Sequence, residues 1–325
     1  MKPKVYVTRL IPEEPLERLG ENSDYRIWEG ELPVPRDVLL REVSAVDGLL
    51  SLLTDKIDAP IMEAAPKLRV ISNMAVGFDN VDVKEATKRK IIVCNTPGVL
   101  TDTTADFAFA LLLAAARRVV EGERVVRARK WKTWGPMILL GQDLHHATLG
   151  IIGLGRIGAE VAKRARGFDM KIIYYDTVRR PDLEKTLDLE FRDLNSLLAE
   201  SDFVTIHCPL LPETYHLIAE EQFKIMKKTA ILVNSARGPI VDPKALYSAL
   251  RDRRIAYAAL DVTEPEPIPP DDPLLTLENI VIAPHIASAS VATRTKMAMM
   301  AVDNLLAAVR GERPPHIVNP EVLTK

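Results

Sequence analysis

The sequence predicts an α/β protein of two domains, in which a larger domain with a doubly wound parallel sheet is inserted into a smaller α/β domain. Short apolar strands alternate with helical stretches along the chain, which indicates parallel sheets covered by helices on both faces. Residues 148–176 read as strand, glycine-rich turn, helix, strand and acidic residue. A last long helix, over 289–309, is apolar on two sides, which indicates that the chain returns to the domain in which it began.

The composition is that of an ordinary globular chain and excludes several classes of partner. The 325 residues suffice for about two domains. A net charge of −2 provides no field that would attract nucleic acid or an anionic membrane. No apolar run approaches the roughly 18 residues of a membrane span, and the start, MKPKVYVTRL, enters a strand rather than a signal peptide. Cys94 and Cys208 are expected to be reduced packing residues in a cytoplasmic protein, and no metal site is expected.

The first hundred residues predict the smaller domain. Strands are expected over 4–9, 25–28, 46–53, 68–72 and 91–94, and helices over 13–19, 35–43, 57–65 and 83–90. Ligands of parallel sheets bind at the carboxyl ends of the strands. Residues 52–54 and 75–77 come at such ends and are therefore expected at the lip of a ligand cleft.

Residues 101–126 predict one long helix, whose AFALLLAAARRVV stretch is apolar nearly all round. A helix of this kind is buried between larger bodies, so it is expected to join the two domains. Residues 129–142 follow without clean periodicity and carry Trp131 and Trp134. Such a segment is either an irregular loop that packs its own tryptophans or an arm that reaches another subunit, and the arm is the preferred interpretation.

The glycine-rich turn predicts a dinucleotide site. Gly153 permits a tight turn, Gly155 lets the backbone approach a pyrophosphate, and Gly158 lets the helix pack close to the strand. The helix N-terminus then offers N–H groups and a positive dipole end to the anion. Asp176, at the end of the next strand, can accept hydrogen bonds from the ribose hydroxyls of NAD. The alternative is a glycine-rich turn that binds nothing.

Asp176 also bears on which dinucleotide is bound. Its carboxylate would repel a 2′-phosphate, so NAD(H) is the expected cofactor. Arg179 and Arg180 follow closely and could offset part of that repulsion, so measurable activity with NADP(H) is expected as well.

Polar side chains with a chemical role follow three strands of the larger domain. Together with the two strands of the glycine motif, a six-stranded sheet is expected from strands over 203–207, 230–234, 256–262 and 280–283. Arg237, Glu266 and His285 each come just after one of these strands. Taken singly, they are ordinary: a surface arginine, a solvated glutamate and a packing histidine. Because all three follow strands of the sheet expected to hold the cofactor, they are expected to face the nicotinamide.

An arginine, a histidine and a carboxylate are the groups that reduction of a 2-oxo acid needs. Arg237 would bind the substrate carboxylate through a bidentate contact. His285 would supply the proton to the nascent alkoxide. Glu266 would hydrogen-bond the imidazole, fix its tautomer and favour its protonated form.

Five stretches carry a family resemblance: GLGRIG (153–158), HCPLLPET (207–214), NSARGPIVD (234–242), ALDVTEPEP (259–267) and PHIAS (284–288). With them the whole chain resembles the D-isomer-specific 2-hydroxyacid dehydrogenases. The resemblance implies that Arg237, Glu266 and His285 are catalytic. It implies a Rossmann domain over 100–288, with a dimerisation arm near 118–146, inserted into a flavodoxin-like substrate domain made of 1–99 and 289–325. It also implies a homodimer.

Within the family, the chain is most similar to glyoxylate and hydroxypyruvate reductases, which make glycolate and D-glycerate. The matching stretches are AVGFDNVD (75–82), VLTDTTADFAFALLLAAARR (99–118) and W-x-x-W-x-P (131–136). The resemblance implies that the amides of Val76 and Gly77 bind the substrate carboxylate and that Trp134 reaches the partner's active site. Leu53 is expected to line the same pocket, and Thr104 to contact the nicotinamide side.

The resemblance also implies the remaining cofactor contacts, which lie in the motifs quoted above. These are Arg156, Ile157, Cys208, Pro209, Thr214, Ser235, Ala236, Asp261, His285, Ala287 and Ser288. Two positions depart from the family pattern. Ala287 stands where a glycine is usual, and Thr263 where an aromatic residue is usual, so both could reshape the pocket.

Other functions of the same fold are weighed against this one. Phosphite dehydrogenases carry a lysine where this chain has Val76, and the long phosphoglycerate dehydrogenases have a regulatory domain that the sequence lacks. Another D-2-hydroxyacid dehydrogenase remains an alternative. A non-catalytic, NAD-sensing corepressor is a second alternative, because such proteins can retain the catalytic triad. The adenosylhomocysteine hydrolases have a similar fold, but the 2-hydroxyacid motifs argue against them.

Overall fold

The computed structural model describes residues 2–323, and the chain divides into two compact units. The first unit is made of the described residues within 1–100 and 289–325, and the second is Thr101–Ser288. Each unit is built on its own parallel sheet with helices packed on it. The α/β class predicted from the alternating pattern is confirmed.

The first unit contains a five-stranded parallel sheet in the order β2-β1-β3-β4-β5. Its strands are β1 (Lys4–Val7), β2 (Asp24–Ile27), β3 (Gly48–Ser51), β4 (Val70–Asn73) and β5 (Ile92–Cys94). The helices between them are α1 (Glu13–Asn22), α2 (Arg36–Val43), α3 (Ala59–Glu63) and α4 (Val83–Lys88). Strand β3 is shorter than the apolar run that predicted it, so Leu52 and Leu53 continue beyond the carboxyl end of the strand.

The second unit contains a seven-stranded parallel sheet in the order β12-β11-β10-β9-β6-β7-β8. The elements follow in chain order: α5 (Thr101–Ala116), α6 (Val119–Arg127), β6 (Thr148–Ile152), α7 (Arg156–Arg166), β7 (Lys171–Tyr175), α8 (Pro181–Leu187), β8 (Leu189–Phe191), α9 (Leu194–Glu200), β9 (Phe203–Ile206), α10 (Glu220–Ile225), β10 (Ile231–Asn234), α11 (Pro243–Arg251), β11 (Tyr257–Leu260) and β12 (Ile280–Ile282).

The prediction of six strands in the larger sheet was wrong. The additional strand, β8, has three residues and pairs with β7 at the edge of the sheet. Its Leu-Glu-Phe sequence is too short to show a period, and pairing with β7 is what makes it a strand.

The single helix predicted over 101–126 was also wrong, because two helices occupy this stretch. Arg118 lies between them with φ of +53°, a left-handed conformation that ends the ladder of α5. Its guanidinium then donates to Glu121, with Nε–Oε2 and Nη2–Oε1 distances of 2.9 and 2.6 Å, and so stabilises the first turn of α6. Helix α5 packs on α7 and on the sheet, as its apolar surface requires.

The segment between α6 and β6 has an irregular backbone, and its aromatic side chains are exposed. Trp131 and Trp134 are 60% and 78% accessible, and Met137 is 77% accessible. Helix α6 has no buried residue. The tryptophans therefore do not form a core for the loop that carries them.

The last helix, α12 (Val291–Val309), completes the first unit by packing on α1 and on β3, β4 and β5. Ser72 of β4 donates to the Ala301 carbonyl at 2.7 Å. Buried side chains along α12, such as Ala298 and Leu305, face this sheet. Across residues 2–323, the structure contains no helix whose length and apolar character would let it cross a membrane.

Candidate active site and cofactor site

The turn between β6 and α7 needs each of its three glycines for a different reason. Gly153 has φ of +93°, and a Cβ there would lie 2.5 Å from the Cys208 nitrogen. A Cβ on Gly158 would lie 2.2 Å from the Gly153 carbonyl oxygen. At Gly155 a Cβ would meet nothing within 4 Å, so the backbone here borders open space at the N-terminus of α7. This arrangement fits a dinucleotide pyrophosphate.

The Asp176 carboxylate is fixed beside this turn. Its Oδ2 accepts from the Leu154 nitrogen at 2.7 Å, and its Oδ1 accepts from the Val178 nitrogen at 3.2 Å. Both oxygens keep lone pairs that can accept further hydrogen bonds. The carboxylate therefore fits the role of acceptor for ribose hydroxyls that the sequence predicted.

The loop that follows β9 approaches the glycine turn closely at Cys208. Thr214 holds the loop in shape, because its Oγ1 donates to the Pro209 carbonyl at 2.7 Å and accepts from the Leu211 nitrogen at 2.8 Å. Burial raises the pKa of the Cys208 thiol to about 11, so the thiol is neutral at physiological pH.

His207, in the same loop, is a second histidine near the predicted cofactor site. Its Nε2 lies 2.8 Å from Thr205 Oγ1. Desolvation lowers the pKa of His207 to about 3. Its imidazole is therefore neutral near pH 7 and poorly suited to donate a proton to a substrate.

The Arg237 loop is shaped by the side chain of Asn234 at the end of β10. Asn234 Oδ1 accepts from the Ala236 nitrogen at 3.0 Å, and its Nδ2 donates to the Arg237 carbonyl at 2.9 Å. Arg237 Nη1 donates to the Ala236 carbonyl at 2.8 Å. The Oγ of Ser235 is buried and has no hydrogen-bond partner within the described chain, as expected of a polar atom that awaits a ligand.

Glu266 and His285 form a direct pair. His285 Nδ1 lies 2.6 Å from Glu266 Oε1. A carboxylate on Nδ1 favours a proton on that nitrogen and so leaves Nε2 directed away from the pair. The imidazole is thereby oriented for proton exchange at Nε2.

Asp261 braces the loop that carries His285. Its Oδ1 and Oδ2 accept from the nitrogens of Ile286 and Ala287, each at 2.8 Å, and its carbonyl accepts from the His285 nitrogen at 2.9 Å. His285 has φ of +55°, so these three bonds hold a backbone conformation that side chains rarely adopt. Burial raises the pKa of Asp261, whose residue is 1% exposed. The sequence predicted Asp261 as a cofactor contact, and its bracing of this loop was not foreseen.

The Arg237 loop and the Glu266 loop meet at Gly238. A Cβ on Gly238 would lie 1.9 Å from the Thr263 carbonyl oxygen. The three predicted catalytic residues thus come from loops that follow β10, β11 and β12, which are neighbours in the sheet. The glycine directly after Arg237 was a signal of this close approach that sequence reasoning did not use.

The predicted substrate residues of the first unit lie in two loops after β3 and β4. Asparagine side chains hold these loops in place. Asn73 Nδ2 donates to the Gly77 carbonyl at 3.0 Å, and Asn95 Nδ2 donates to the Val76 carbonyl at 2.8 Å. Asn80 Nδ2 donates to the Leu52 carbonyl at 3.0 Å, next to Leu53. The loops are therefore rigidly positioned at the carboxyl edge of their sheet.

The other predicted contacts lie in the second unit. Arg156 and Ile157 begin α7, and Thr104 is buried in α5. Ala287 and Ser288 follow His285 and are also buried. No cluster of three or more metal-binding side chains occurs among the residues that the structure describes.

The fold and the dinucleotide turn define an NAD(P)-dependent dehydrogenase. The family model of the D-isomer specific 2-hydroxyacid dehydrogenase NAD binding domain matches residues 109–287, and the chain belongs to this family.

Relatives similar over the full length support this assignment. A glyoxylate reductase from Korarchaeum cryptofilum is 60% identical over 99% of this chain and 98% of its own length. A solved structure from Thermus thermophilus has a TM-score of 0.92 at 47% identity and covers 97% of this chain and 99% of its own. An NADPH-dependent glyoxylate/hydroxypyruvate reductase from Sinorhizobium meliloti, in complex with NADP and malonate, has a TM-score of 0.86 at 34% identity, covering 98% and 97%.

Proposed function

We propose that the protein reduces glyoxylate and hydroxypyruvate with NADH, forming glycolate and D-glycerate. The observation that carries the proposal is the 2.6 Å contact between His285 and Glu266, in the unit that contains the dinucleotide turn. The relatives that share the chain's full length include glyoxylate reductases, which supports the choice of substrate. In this proposal the second unit binds the dinucleotide and the first contributes substrate contacts.

The proposed roles follow from the chemistry of each side chain. Arg237 binds the substrate carboxylate and orients the carbonyl. His285 donates the proton from Nε2 to the carbonyl oxygen. Glu266 keeps the imidazole in the required tautomer and orientation. Bound NADH supplies the hydride that the carbonyl carbon receives.

The proposed substrate pocket favours small acids. Val76 and Gly77 would bind the carboxylate through their amides, and Leu53 and Trp134 would enclose a short substituent. The enclosing side chains are apolar and offer no cation to a second phosphate or carboxylate, so 3-phosphohydroxypyruvate and phosphite are expected to be very poor substrates. Pyruvate is expected to be poorer than glyoxylate and hydroxypyruvate. A lysine at position 76 would favour an inorganic oxyanion, and valine provides no such charge.

The proposed preference for NADH rests on the fixed carboxylate of Asp176, which would repel a 2′-phosphate. The reductase from Sinorhizobium meliloti is NADPH-dependent, so the proposed preference rests on the residues near Asp176 and not on membership of the family. A homodimer is proposed because α6 and the following segment expose Val119, Val126, Trp131 and Trp134. The free thiols of Cys94 and Cys208 support a reducing, cytoplasmic location.

A spectrophotometric panel tests the proposal directly. The purified protein is assayed with glyoxylate, hydroxypyruvate, pyruvate, 3-phosphohydroxypyruvate and phosphite, with NADH and NADPH or their oxidised forms. We expect the first two acids with NADH to give the highest kcat/KM. If phosphite or phosphohydroxypyruvate ranks first, the substrate assignment is wrong. NADH binding without turnover on any of these acids would instead favour a binding protein of the same fold.

A further inference from the structure

Two arginines follow the strand that ends in Asp176, and the first is held by Glu184. Arg179 donates to both carboxylate oxygens, with Nε–Oε1 and Nη2–Oε2 distances of 2.8 and 2.9 Å. Glu184 Oε1 also accepts from the Tyr174 hydroxyl at 2.6 Å. The Glu184 side chain is 15% exposed, although that of Arg179 is 63% exposed. The carboxylate is therefore the fixed member of the pair, and it holds the arginine in one place.

The second arginine lies closer to the glycine turn and pairs with a more exposed carboxylate, since the side chain of Asp182 is 63% exposed and that of Arg180 is 39% exposed. Arg180 Nε and Nη2 donate to the two oxygens of Asp182 at 3.2 and 3.0 Å. Its Nη1 lies 3.5 Å from the Leu154 carbonyl. Leu154 is the residue whose nitrogen donates to Asp176, so this guanidinium lies beside the predicted ribose site. Asp182 and Glu184 both belong to the first turn of α8.

This arrangement bears on how a dinucleotide 2′-phosphate would be received. Nearby arginines are the usual partners of that phosphate in this type of fold, because the guanidinium fork matches phosphate oxygens. Here each fork is already engaged by a carboxylate. A phosphate would have to share each guanidinium with a carboxylate or displace it, and in both cases it would lie close to a second negative charge. These two arginines and the three acids Asp176, Asp182 and Glu184 together carry a net charge of −1.

We propose that Asp182 and Glu184 set the preference for NADH over NADPH by holding Arg180 and Arg179 in ion pairs. The inference rests on the proposed function in that a dinucleotide is the ligand of the second unit, and it does not depend on which acid is reduced. Asp176 repels the phosphate directly, whereas Asp182 and Glu184 withhold the cations that would attract it. They are specificity residues that need not touch NADH.

The test compares the dissociation constants of NADH and NADPH, measured by the fluorescence of the reduced nicotinamide in the absence of substrate. The variants are Asp182→Asn, Glu184→Gln and the double variant, since the amides keep the shape and accept hydrogen bonds but lose the charge. We expect the Kd of NADPH to fall by roughly three- to tenfold in each single variant and further in the double variant, as for partly exposed ionic contacts. The Kd of NADH should stay within about twofold, because the acids need not touch that ligand.

A matched control separates this role from a change in overall charge. Glu220→Gln removes one negative charge and breaks an ion pair with Lys224 in α10, so it should leave both constants unchanged. Adding Arg179→Gln and Arg180→Gln to the double variant should remove most of the gain in NADPH affinity. Melting temperatures report whether each variant is folded.

The inference is overturned if the folded double variant keeps the wild-type ratio of the two constants, or if the gain survives the loss of both Arg179 and Arg180. It is also overturned if Glu220→Gln gives the same gain. Its failure differs from that of the proposed function, which would appear as wild-type protein that binds dinucleotide but reduces no 2-oxo acid.

Discussion

Gly238 and Thr263 approach so closely that a Cβ on the glycine would lie 1.9 Å from the carbonyl oxygen of the threonine. This contact joins the loop of Arg237 to the loop of Glu266. The neighbour is a backbone atom, which cannot rotate away as a side chain can. Gly238 is therefore required for the relative placement of two predicted catalytic residues, although it carries no chemistry.

We predict that Gly238→Ala separates the two loops. The variant should lose roughly 1–3 kcal/mol of stability from overpacking and should reduce glyoxylate poorly. Thermal unfolding and kcat/KM measure the two effects. Gly122→Ala is the control, because its Cβ would meet an atom of Leu139 at 3.6 Å, an ordinary contact. Equal activity of the Gly238 variant and the wild type would show that the loops adjust independently.

Replacing Glu266 by glutamine should lower kcat/KM for glyoxylate. The carboxylate lies 2.6 Å from His285 Nδ1 and favours the tautomer that leaves Nε2 directed away from the pair. A glutamine amide can also donate to Nδ1, so it holds this tautomer less firmly, and a loss of up to about 10²-fold is expected. Glu264→Gln is the control, because Glu264 contacts His216 at 2.7 Å instead. Equal kcat/KM for the Glu266 variant and the wild type would show that the pair does not orient the imidazole.

Arg237→Lys should lower kcat/KM for glyoxylate because an ammonium cannot reproduce the bidentate fork. A charge-assisted contact contributes roughly 1.5–3 kcal/mol, so a loss of about ten- to a hundredfold is expected. The Kd of NADH should be unchanged. Arg251→Lys, which alters an exposed arginine paired with Asp252, should behave as wild type. A lysine variant with wild-type kinetics would argue against a bidentate role.

Desolvation of the His207 imidazole should make the fold sensitive to acid. Its pKa lies at about 3 in the folded protein, below the ordinary value of 6.5, so the unfolded chain binds more protons between these limits. The contribution of this group to the free energy of unfolding is therefore fully present above pH 6.5. It is lost as the pH falls towards 3, by up to about 1.4 kcal/mol per pH unit. Denaturant unfolding of His207→Asn should show a shallower loss than the wild type across this range. The exposed His145, changed to glutamine, should leave the slope unaltered.

Trp134→Ala should change the ratio of kcat/KM for glyoxylate and hydroxypyruvate more than it changes the Kd of NADH. The reason is that Trp134 is proposed to enclose the substrate of the partner subunit. Trp131→Ala removes a neighbouring exposed tryptophan and provides the matched control. Sedimentation of both variants shows whether the dimer persists. An unchanged substrate ratio in a dimeric Trp134 variant would place this side chain outside the pocket.

Local signals predicted much of this fold and of the candidate site. The glycine turn and Asp176 could be identified because Gly153 and Gly158 answer backbone requirements that neighbouring residues impose, and Gly155 leaves open space for a ligand. Strand β8 could not be identified, because it is a strand only through its pairing with β7 and its own sequence shows no strand pattern. The break at Arg118 was also hidden, because arginine is a good helix former and its left-handed backbone leaves no mark in the local sequence pattern.

The residues of the candidate site also divide into those that the sequence could predict and those that it could not. Arg237, Glu266 and His285 could be proposed from residue type and position after a strand. The bracing carboxylate of Asp261 and the contact of Gly238 with Thr263 could not, because both join residues that are about 25 positions apart in the chain. Such contacts depend on the distance between strand ends, and a sequence pattern does not contain that distance.

The return of the chain to the first unit has a consequence for its synthesis. Strand β5 is held by Asn319, which accepts from the Val93 nitrogen at 2.8 Å and donates to the Ile91 carbonyl at 3.0 Å, and β4 is covered by α12. The segment that leaves the ribosome first therefore lacks these partners until the whole second unit has been translated, a delay of roughly 10–40 s at ordinary rates. The unit in the middle of the chain can fold first, and the nascent N-terminal sheet needs protection from aggregation until the last helix arrives.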